Sequence, residues 1–165
     1  VGPFRVEVPE PLRTVRFVAD ATAEGLTMDL TWTGLFPAVD EQPHLWRTGG
    51  RIALGAQRFA QVGTWSGHFE IDGERIEVTP DRWLGTRDRS WGIRPTGEAE
   101  PPGRAGDEPI DGFWWLYVPL AFEEFAIVVI VQEEPDGHRV VNEAVRVWPA
   151  GSGRRPLPSS SSTCC

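Results

Sequence analysis

Three charged side chains and an indole stand close together in one short segment of the chain. The segment reads Gly85-Thr86-Arg87-Asp88-Arg89-Ser90-Trp91-Gly92. Successive side chains of an extended strand point to opposite faces, so Arg87, Arg89 and Trp91 share one face. Asp88 and Ser90 share the other. A guanidinium held against apolar surface needs a partner or a ligand, because an unpaired buried charge costs several kcal/mol. The segment is therefore a candidate site.

Two roles are open to this segment. The charged residues can form an internal ion-pair network that pins the strand end, with Asp88 tied to an arginine. They can also anchor a ligand, binding a carboxylate or polarising a carbonyl at the mouth of a small barrel whose apolar interior takes the rest of a lipophilic molecule. If a reaction takes place, Asp88 and Arg89 are the catalytic candidates. The candidates for ligand binding are Arg87, Arg89, Trp91, Trp65, Trp83, Trp115 and Tyr117.

The tryptophans also have alternative roles. Large aromatic side chains supply much of the burial in β proteins, so the core is the simplest place for them, and a ligand lumen is the sharper alternative. A third reading stacks exposed tryptophans on sugar rings in a carbohydrate-binding β-sandwich.

The sequence lacks the residue patterns of metal sites, disulfide frameworks, cofactor binding and nucleophilic catalysis. His44, His68 and His138 are scattered and predict no metal site. Cys164 and Cys165 are adjacent in the sequence, so they cannot form a disulfide framework for the fold. There is no phosphate-binding loop, dinucleotide fingerprint or nucleophile elbow, so we expect no cofactor.

Net charge and hydropathy limit the classes of partner that this protein is expected to bind. The 165 residues carry a formal charge of -8, which argues against nucleic acid and anionic membrane surfaces as partners. The longest apolar run, 125–131, is far too short to span a bilayer, and no basic leader precedes an apolar stretch. We expect a cytoplasmic protein without a membrane span.

Alternation of apolar and polar residues predicts an all-β chain with little helix. The strongest signal is Asp72-Gly73, a pair typical of tight hairpin turns, between strands at 63–71 and 74–79. We interpret 34–50 and 95–109 as loops, and we place further strands at 4–8, 13–19, 26–33, 83–91, 113–120, 125–131 and 139–148. These elements predict one β-barrel-like domain over 1–149, or one barrel of a two-barrel protein, and a disordered tail at 150–165.

Two predicted strands, 113–120 and 125–131, are apolar on both faces. The interior of a barrel covers only one face of a strand. We therefore expect the other face to be covered by a helix, a missing second domain or a homodimer partner, or else to form an exposed patch that promotes association.

The hairpin Gly63-Thr64-Trp65-Ser66-Gly67-His68-Phe69-Glu70-Ile71-Asp72-Gly73 and the downstream Arg-Asp-Arg-Ser-Trp-Gly resemble the carotenoid 1,2-hydratase and AttH-like group of lipocalin-like proteins. The resemblance is best over about residues 55–95. It implies an antiparallel lipocalin-like (calycin-type) barrel or strongly bent sheet. It also implies action on large apolar molecules, including water addition to isoprenoid double bonds and pericyclic ring formation.

One residue departs from that group, because Arg89 stands where its signature usually has His. A guanidinium stays protonated and cannot exchange a proton near neutral pH. Adding water to an alkene requires a strong acid, normally a buried carboxyl. The predicted strand 113–120 contains no carboxyl group, and the nearest candidates are those of Asp88, Asp111, Glu123 and Glu124.

We therefore expect a protein that binds a lipophilic small molecule, such as an isoprenoid, polyketide or lipid, in a β-barrel. It would either carry the ligand or act on it as a cofactor-independent lyase or isomerase, with hydratase-type or cyclase-type chemistry.

Overall fold

The computed structural model describes residues 2–48, 51–93, 112–154 and 157–158. In that part of the chain the backbone forms β-strands joined by turns, with a single 3-10 turn at Thr22–Glu24. The strands are β1 (Phe4–Glu10), β2 (Thr14–Ala21), β3 (Leu26–Gly34), β4 (Val39–Asp40), β5 (His44–Thr48), β6 (Arg51–Ile71), β7 (Glu74–Val78), β8 (Leu84–Ile93), β9 (Trp114–Ala121), β10 (Ala126–Glu133), β11 (Arg139–Val147) and β12 (Leu157–Pro158). The predicted all-β, antiparallel character is confirmed. No described helix is long and apolar enough to cross a bilayer.

The long strand β6 organises the larger of two sheets. One of its edges pairs with β3, β4 and β5, and the other pairs with β7 and β8. Gly67 lies at the crowded part of this strand, with φ at +121°. A Cβ atom there would clash with the carbonyl oxygen of Asp29, so the backbone approach between β3 and β6 requires glycine.

The predicted hairpin is confirmed. Glu74 pairs with Ile71 directly across the turn, and Asp72 and Gly73 have φ values of +49° and +83°. Positive φ at both central residues is the conformation that a two-residue turn needs to match the twist of its strands. An Asp-Gly pair adopts it at low cost.

The large sheet is curved but does not close into a barrel. Val6 on β1 and Arg87 on β8 line the same cavity, although three strands separate β1 from β8 in the sheet. A flat sheet would hold them about 19 Å apart, at about 4.8 Å per strand, so this sheet must bend. Among the described residues β1 pairs only with β2. The predicted closed barrel is therefore not found in the described part of the chain.

The second sheet has the order β12-β11-β10-β9 and packs on the β4 to β6 side of the large sheet. Its inner face buries Ala126, Val128 and Ile130 almost completely. The hydrophobic core between the sheets consists of Phe36, Val39, Val62, Ala126, Val145 and Val147. Burial of these apolar side chains is what holds the two sheets together.

This packing explains one face of the doubly apolar strands. The inner face of β9 and β10 is covered by the large sheet and does not face the interior of a barrel. On the outer face, Trp114 and Leu120 are exposed. The expected homodimer or second domain over this face stays a prediction.

Two boundary predictions need correction. The segment 34–50 contains β4 and β5 rather than only loop, and β6 begins at Arg51, twelve residues before the predicted start at 63. The sequence from Gly55 to Ala60 is short of β-branched residues, so its pattern is weak, and pairing on both edges of β6 makes it a strand.

Other predictions remain open. The predicted loop at 95–109 and most of the predicted tail lie outside the described residues. Within the tail, Leu157 and Pro158 pair with β11.

Arg16 joins three strands on the convex side of the large sheet. Its Nη2 donates to Asp29 Oδ2 at 2.6 Å and its Nη1 donates to Glu7 Oε2 at 3.2 Å. The hydrogen bond from Arg16 lowers the pKa of Asp29 below its ordinary value.

We expect Arg16→Gln to raise the pKa of Asp29, which a carbon-detected NMR titration measures directly. Because the pKa is depressed in the folded state, the pair stabilises the fold above about pH 4 and less as the pH falls through the folded pKa. The gain is small, since both side chains are well exposed. An unchanged Asp29 pKa in the variant would show that the hydrogen bond does not form in solution.

Candidate functional site

The charged segment lies on β8 and pairs with the first half of β6. Arg87 lies opposite Gln61, Arg89 opposite Phe59 and Trp91 opposite Gln57. Cross-strand partners share a face, so the three side chains project from one side of the sheet, as predicted from the alternation. Asp88 projects from the opposite side, where it meets Arg58.

The face that carries Arg87 bounds a cavity of about 340 Å³, which we call the concave cavity. Its walls come from β1, β2, β3, β6 and β8. The lining residues are Val6, Val8, Val15, Phe17, Trp32, Trp65, Thr86, Arg87, Asp88 and Arg89. Most of them are apolar, and the charged residues among them all belong to β8.

The indoles of Trp32 and Trp65 form part of the apolar wall. Trp32 is 1% exposed, and Trp65 lies across from it on β6 with its ring 5.4 Å from that of Phe17. Gly85 permits this packing, because a Cβ atom there would overlap the indole of Trp65. Trp65 therefore lies in the wall of the concave cavity.

Arg87 is a positively charged residue of the concave cavity that packs against aromatic rings. Its guanidinium carbon lies 5.3 Å from the ring centre of Phe59 and 6.0 Å from that of Trp32. Its Nη1 is buried without a hydrogen bond in the described part of the chain. No described carboxylate pairs with Arg87 or Arg89. Aromatic faces stabilise a guanidinium but do not neutralise it, so an acceptor can still bind there.

Trp83 and Trp91, both predicted ligand contacts, lie outside the concave cavity. Each is exposed at the surface. The Nε1 of Trp91 donates to Gln57 Oε1 at 3.1 Å, and the ring of Trp83 packs edge-on against Phe69 at 5.8 Å. Neither residue therefore joins Trp65 and Arg87 in the lining of the concave cavity.

Asp88 pairs with an arginine, but the partner is not in its own segment. Its Oδ2 lies 3.4 Å from Nη2 of Arg58 on β6. The predicted tie of Asp88 to an arginine is therefore found, and its partner comes from β6 because the neighbouring Arg87 and Arg89 point to the opposite face. Asp88 faces the second sheet, where Arg58 already has another acidic neighbour.

That neighbour belongs to a group of polar residues between the two sheets, which we call the seam cluster. Its members are Glu41, His44, Arg58, Tyr117 and Gln132. The Glu41 side chain is only 1% exposed, and its Oε2 lies 3.3 Å from Arg58 Nε and 3.6 Å from His44 Nε2. A carboxylate so far from water depends on nearby positive charge for its stability.

His44 and Arg58 connect the seam cluster to the second sheet. Nδ1 of His44 lies within hydrogen-bonding distance of Gln132 Oε1 on β10, at 3.3 Å. The Arg58 guanidinium lies 4.6 Å from the ring centre of Tyr117 and 5.4 Å from that of Trp115. These contacts hold β9 and β10 against β6.

Tyr117 and Trp115 were both predicted to contact a ligand together with Arg87. They lie instead on the other side of the large sheet, beside Arg58. Burial, and then the charge of Glu41, raise the pKa of Tyr117 above its ordinary value, so the phenol stays protonated at neutral pH.

A second cavity of about 430 Å³ adjoins the seam cluster, and we call it the seam cavity. Its lining combines hydrogen-bonding side chains with aromatic rings. The residues are His44, Leu54, Ala56, Arg58, Ser90, Phe113, Trp115 and Gln132. The ring of Phe113 stands edge-on to that of Trp115, with 6.5 Å between centres.

Of the carboxyl groups named as candidate acids for hydration, Asp88 pairs with Arg58. Asp111 lies outside the described residues, and Glu123 and Glu124 are exposed in the turn between β9 and β10. Among the described residues the buried carboxylate is that of Glu41, on the side of the sheet away from the concave cavity. Among the described residues, no group of three or more His, Cys, Asp and Glu side chains could hold a metal ion.

Sequence reasoning missed Glu41, Arg58 and Gln132. One signal was available for Gln132, because it is a polar residue that directly follows the apolar run 125–131. Glu41 and His44 fell in the segment interpreted as a loop. Arg58 gave no signal, since an isolated arginine between Gln57 and Phe59 is typical of any exposed strand.

Neither curated proteins nor solved structures include a match to this chain. The resemblance to the carotenoid hydratase and AttH-like group therefore stays a prediction. The sequence model that does match spans residues 1–163, and by that match the chain belongs to a family of unknown function, DUF8625.

Proposed function

We propose that this protein binds a lipophilic small molecule in the concave cavity of a lipocalin-like bent sheet, with Arg87 contacting the polar end of the ligand. Isoprenoid, polyketide and lipid molecules belong to this chemical class. The observation that carries the proposal is the combination of an apolar cavity and a guanidinium without a described counter-charge.

The dimensions of the cavity support the proposal. Its volume of about 340 Å³ falls within the range of small-molecule sites, about 300–1,000 Å³. Val15, Phe17 and Trp32 would bury the hydrocarbon part of a ligand, which is favourable by about 25 cal/mol for each Å² removed from water. The open side of the sheet allows a longer chain to extend into solvent.

The charged residues of the cavity indicate where the polar end of the ligand binds. Arg87 and Arg89 place two guanidinium groups at the cavity, and Asp88 turns away to Arg58. A carboxylate or a carbonyl oxygen can accept hydrogen bonds from Arg87, and charge-assisted bonds of this kind are the stronger class. A carrier or binding role fits this geometry better than hydratase chemistry, because Asp88, the one acidic residue of the described lining, directs its carboxylate away from the cavity to Arg58.

We expect the protein to bind dodecanoic acid, with quenching or a shift of its tryptophan fluorescence. Arg87→Met should weaken that binding by about tenfold to a hundredfold, because a hydrogen bond to a charged group contributes about 1.5–3 kcal/mol. Isothermal titration calorimetry provides the dissociation constants.

Arg13→Met is the matched control, since Arg13 is exposed and lies away from the concave cavity. It should leave the affinity unchanged. The proposal is rejected if neither dodecanoic acid nor its methyl ester binds. If Arg87→Met and Arg13→Met bind the acid equally well, the role of Arg87 is rejected and lipophilic binding remains.

A further inference from the structure

The seam cavity lies on the opposite side of the large sheet from the concave cavity and has different chemistry. Arg58, Ser90 and Gln132 bring hydrogen-bonding groups to its lining, and Phe113 and Trp115 bring aromatic rings. A purely lipophilic ligand fits this lining poorly, because the polar groups would lose their hydrogen bonds to water on binding and gain none from the ligand. The ligand that fits must offer both polar groups and apolar surface.

Charge restricts the ligand further. Arg58 is the one described residue of the lining that carries a permanent charge, and it already has two acidic neighbours, Glu41 at 3.3 Å and Asp88 at 3.4 Å. An anion bound to Arg58 would be repelled by both carboxylates. A cation would be repelled by the guanidinium, which lines the cavity, whereas neither carboxylate is among the described lining residues. An uncharged ligand with oxygen acceptors avoids both penalties.

Glu41 contributes by positioning. Its carboxylate is almost fully buried and lies close to both Arg58 and His44, so its charge attracts the guanidinium to its place beside Trp115 and Tyr117 without a hydrogen bond to it. Side chains that are already ordered lose less entropy on binding.

We propose that the seam cavity binds an uncharged sugar ring. The hydroxyl groups of a pyranose exchange hydrogen bonds with Arg58, Ser90 and Gln132, and its C–H face packs on the half-exposed ring of Phe113. This site is separate from the proposed lipophilic site, and neither proposal depends on the other.

The test is NMR on the full chain, following the tryptophan indole signals during titration with the methyl glycosides of glucose, galactose and mannose. We expect a saturable shift of the Trp115 signal with at least one of them. Phe113→Ala should weaken that binding about fivefold to tenfold, given the usual contribution of an aromatic contact. Phe122→Ala is the matched control, because the two phenylalanines are 52% and 47% exposed and Phe122 lies outside the seam cavity.

Three results would overturn the proposal. The first is no saturable shift with any of the three neutral glycosides. The second is an equal loss of affinity in Phe113→Ala and Phe122→Ala, which would place binding elsewhere. The third is tighter binding of the methyl glycoside of glucuronic acid than of glucose, which would contradict the charge argument. Thermal melting of both variants confirms that they are folded, as the exposure of the two rings leads us to expect.

Discussion

Replacing Arg58 with Met should lower the free energy of unfolding by about 3–5 kcal/mol, the usual cost of removing one partner of a buried ion pair. The Arg58 side chain is 15% exposed and that of Glu41 is 1% exposed. Without the guanidinium, the Glu41 carboxylate would be left between two sheets with no compensating charge. Urea denaturation followed by tryptophan fluorescence measures the change.

Two further variants separate charge from packing. Exchanging both Glu41 and Arg58 for Met should restore most of the stability, because an apolar pair of similar volume needs no compensation. Asp88→Asn removes the other acidic neighbour of Arg58, and since Asp88 is 52% exposed we expect a loss below about 1 kcal/mol. A single Arg58→Met variant as stable as the natural protein would show that Glu41 is not stabilised by this pair.

Replacing Trp32 with Ala should destabilise the protein by about 3–5 kcal/mol, the range measured for large aromatic residues in protein cores. Its indole is fully buried and packs over Gly63, where a Cβ atom would overlap the ring. The same change removes part of the apolar wall of the concave cavity. We therefore expect weaker binding of dodecanoic acid, measured on the folded variant below its melting temperature.

Trp91→Ala provides the comparison, because Trp91 is exposed and makes one side-chain hydrogen bond, to Gln57. The loss of stability should be about 1 kcal/mol or less, and dodecanoic acid should bind with unchanged affinity. Equal losses of stability in the two variants would show that Trp32 is not part of a packed core.

Much of the strand pattern could be predicted from local sequence. Asp72-Gly73 specifies its turn through φ values that few other residue pairs tolerate, and the alternation on either side then specifies the register. The strands at 26–33 and 125–131 were predictable for the same local reason. The first half of β6 was not, because Gly55, Ala56 and Ala60 have weak strand propensity and depend on neighbours at both edges.

The candidate site was predicted in part. Alternation along β8 correctly separated Arg87 from Asp88, since that is a property of any extended chain. Which residue would meet Asp88 was not predictable, because Arg58 is thirty positions away and reaches Asp88 only through the pairing of β6 with β8. Glu41 gave no sign of burial, since a carboxylate is nearly always exposed unless tertiary contacts compensate it.

By itself the sequence determined the strands, their tight turns and the face on which each side chain of the charged segment would lie, because these depend on backbone geometry over a few residues. Only the tertiary structure decided that the sheet stays open, that Trp65 and Trp115 lie on opposite sides of it, and that Glu41 and Arg58 meet between two sheets. The reason is physical: sheet curvature and the packing of one sheet on another depend on apolar burial between residues far apart in the chain, and local patterns carry no information about which distant faces will meet.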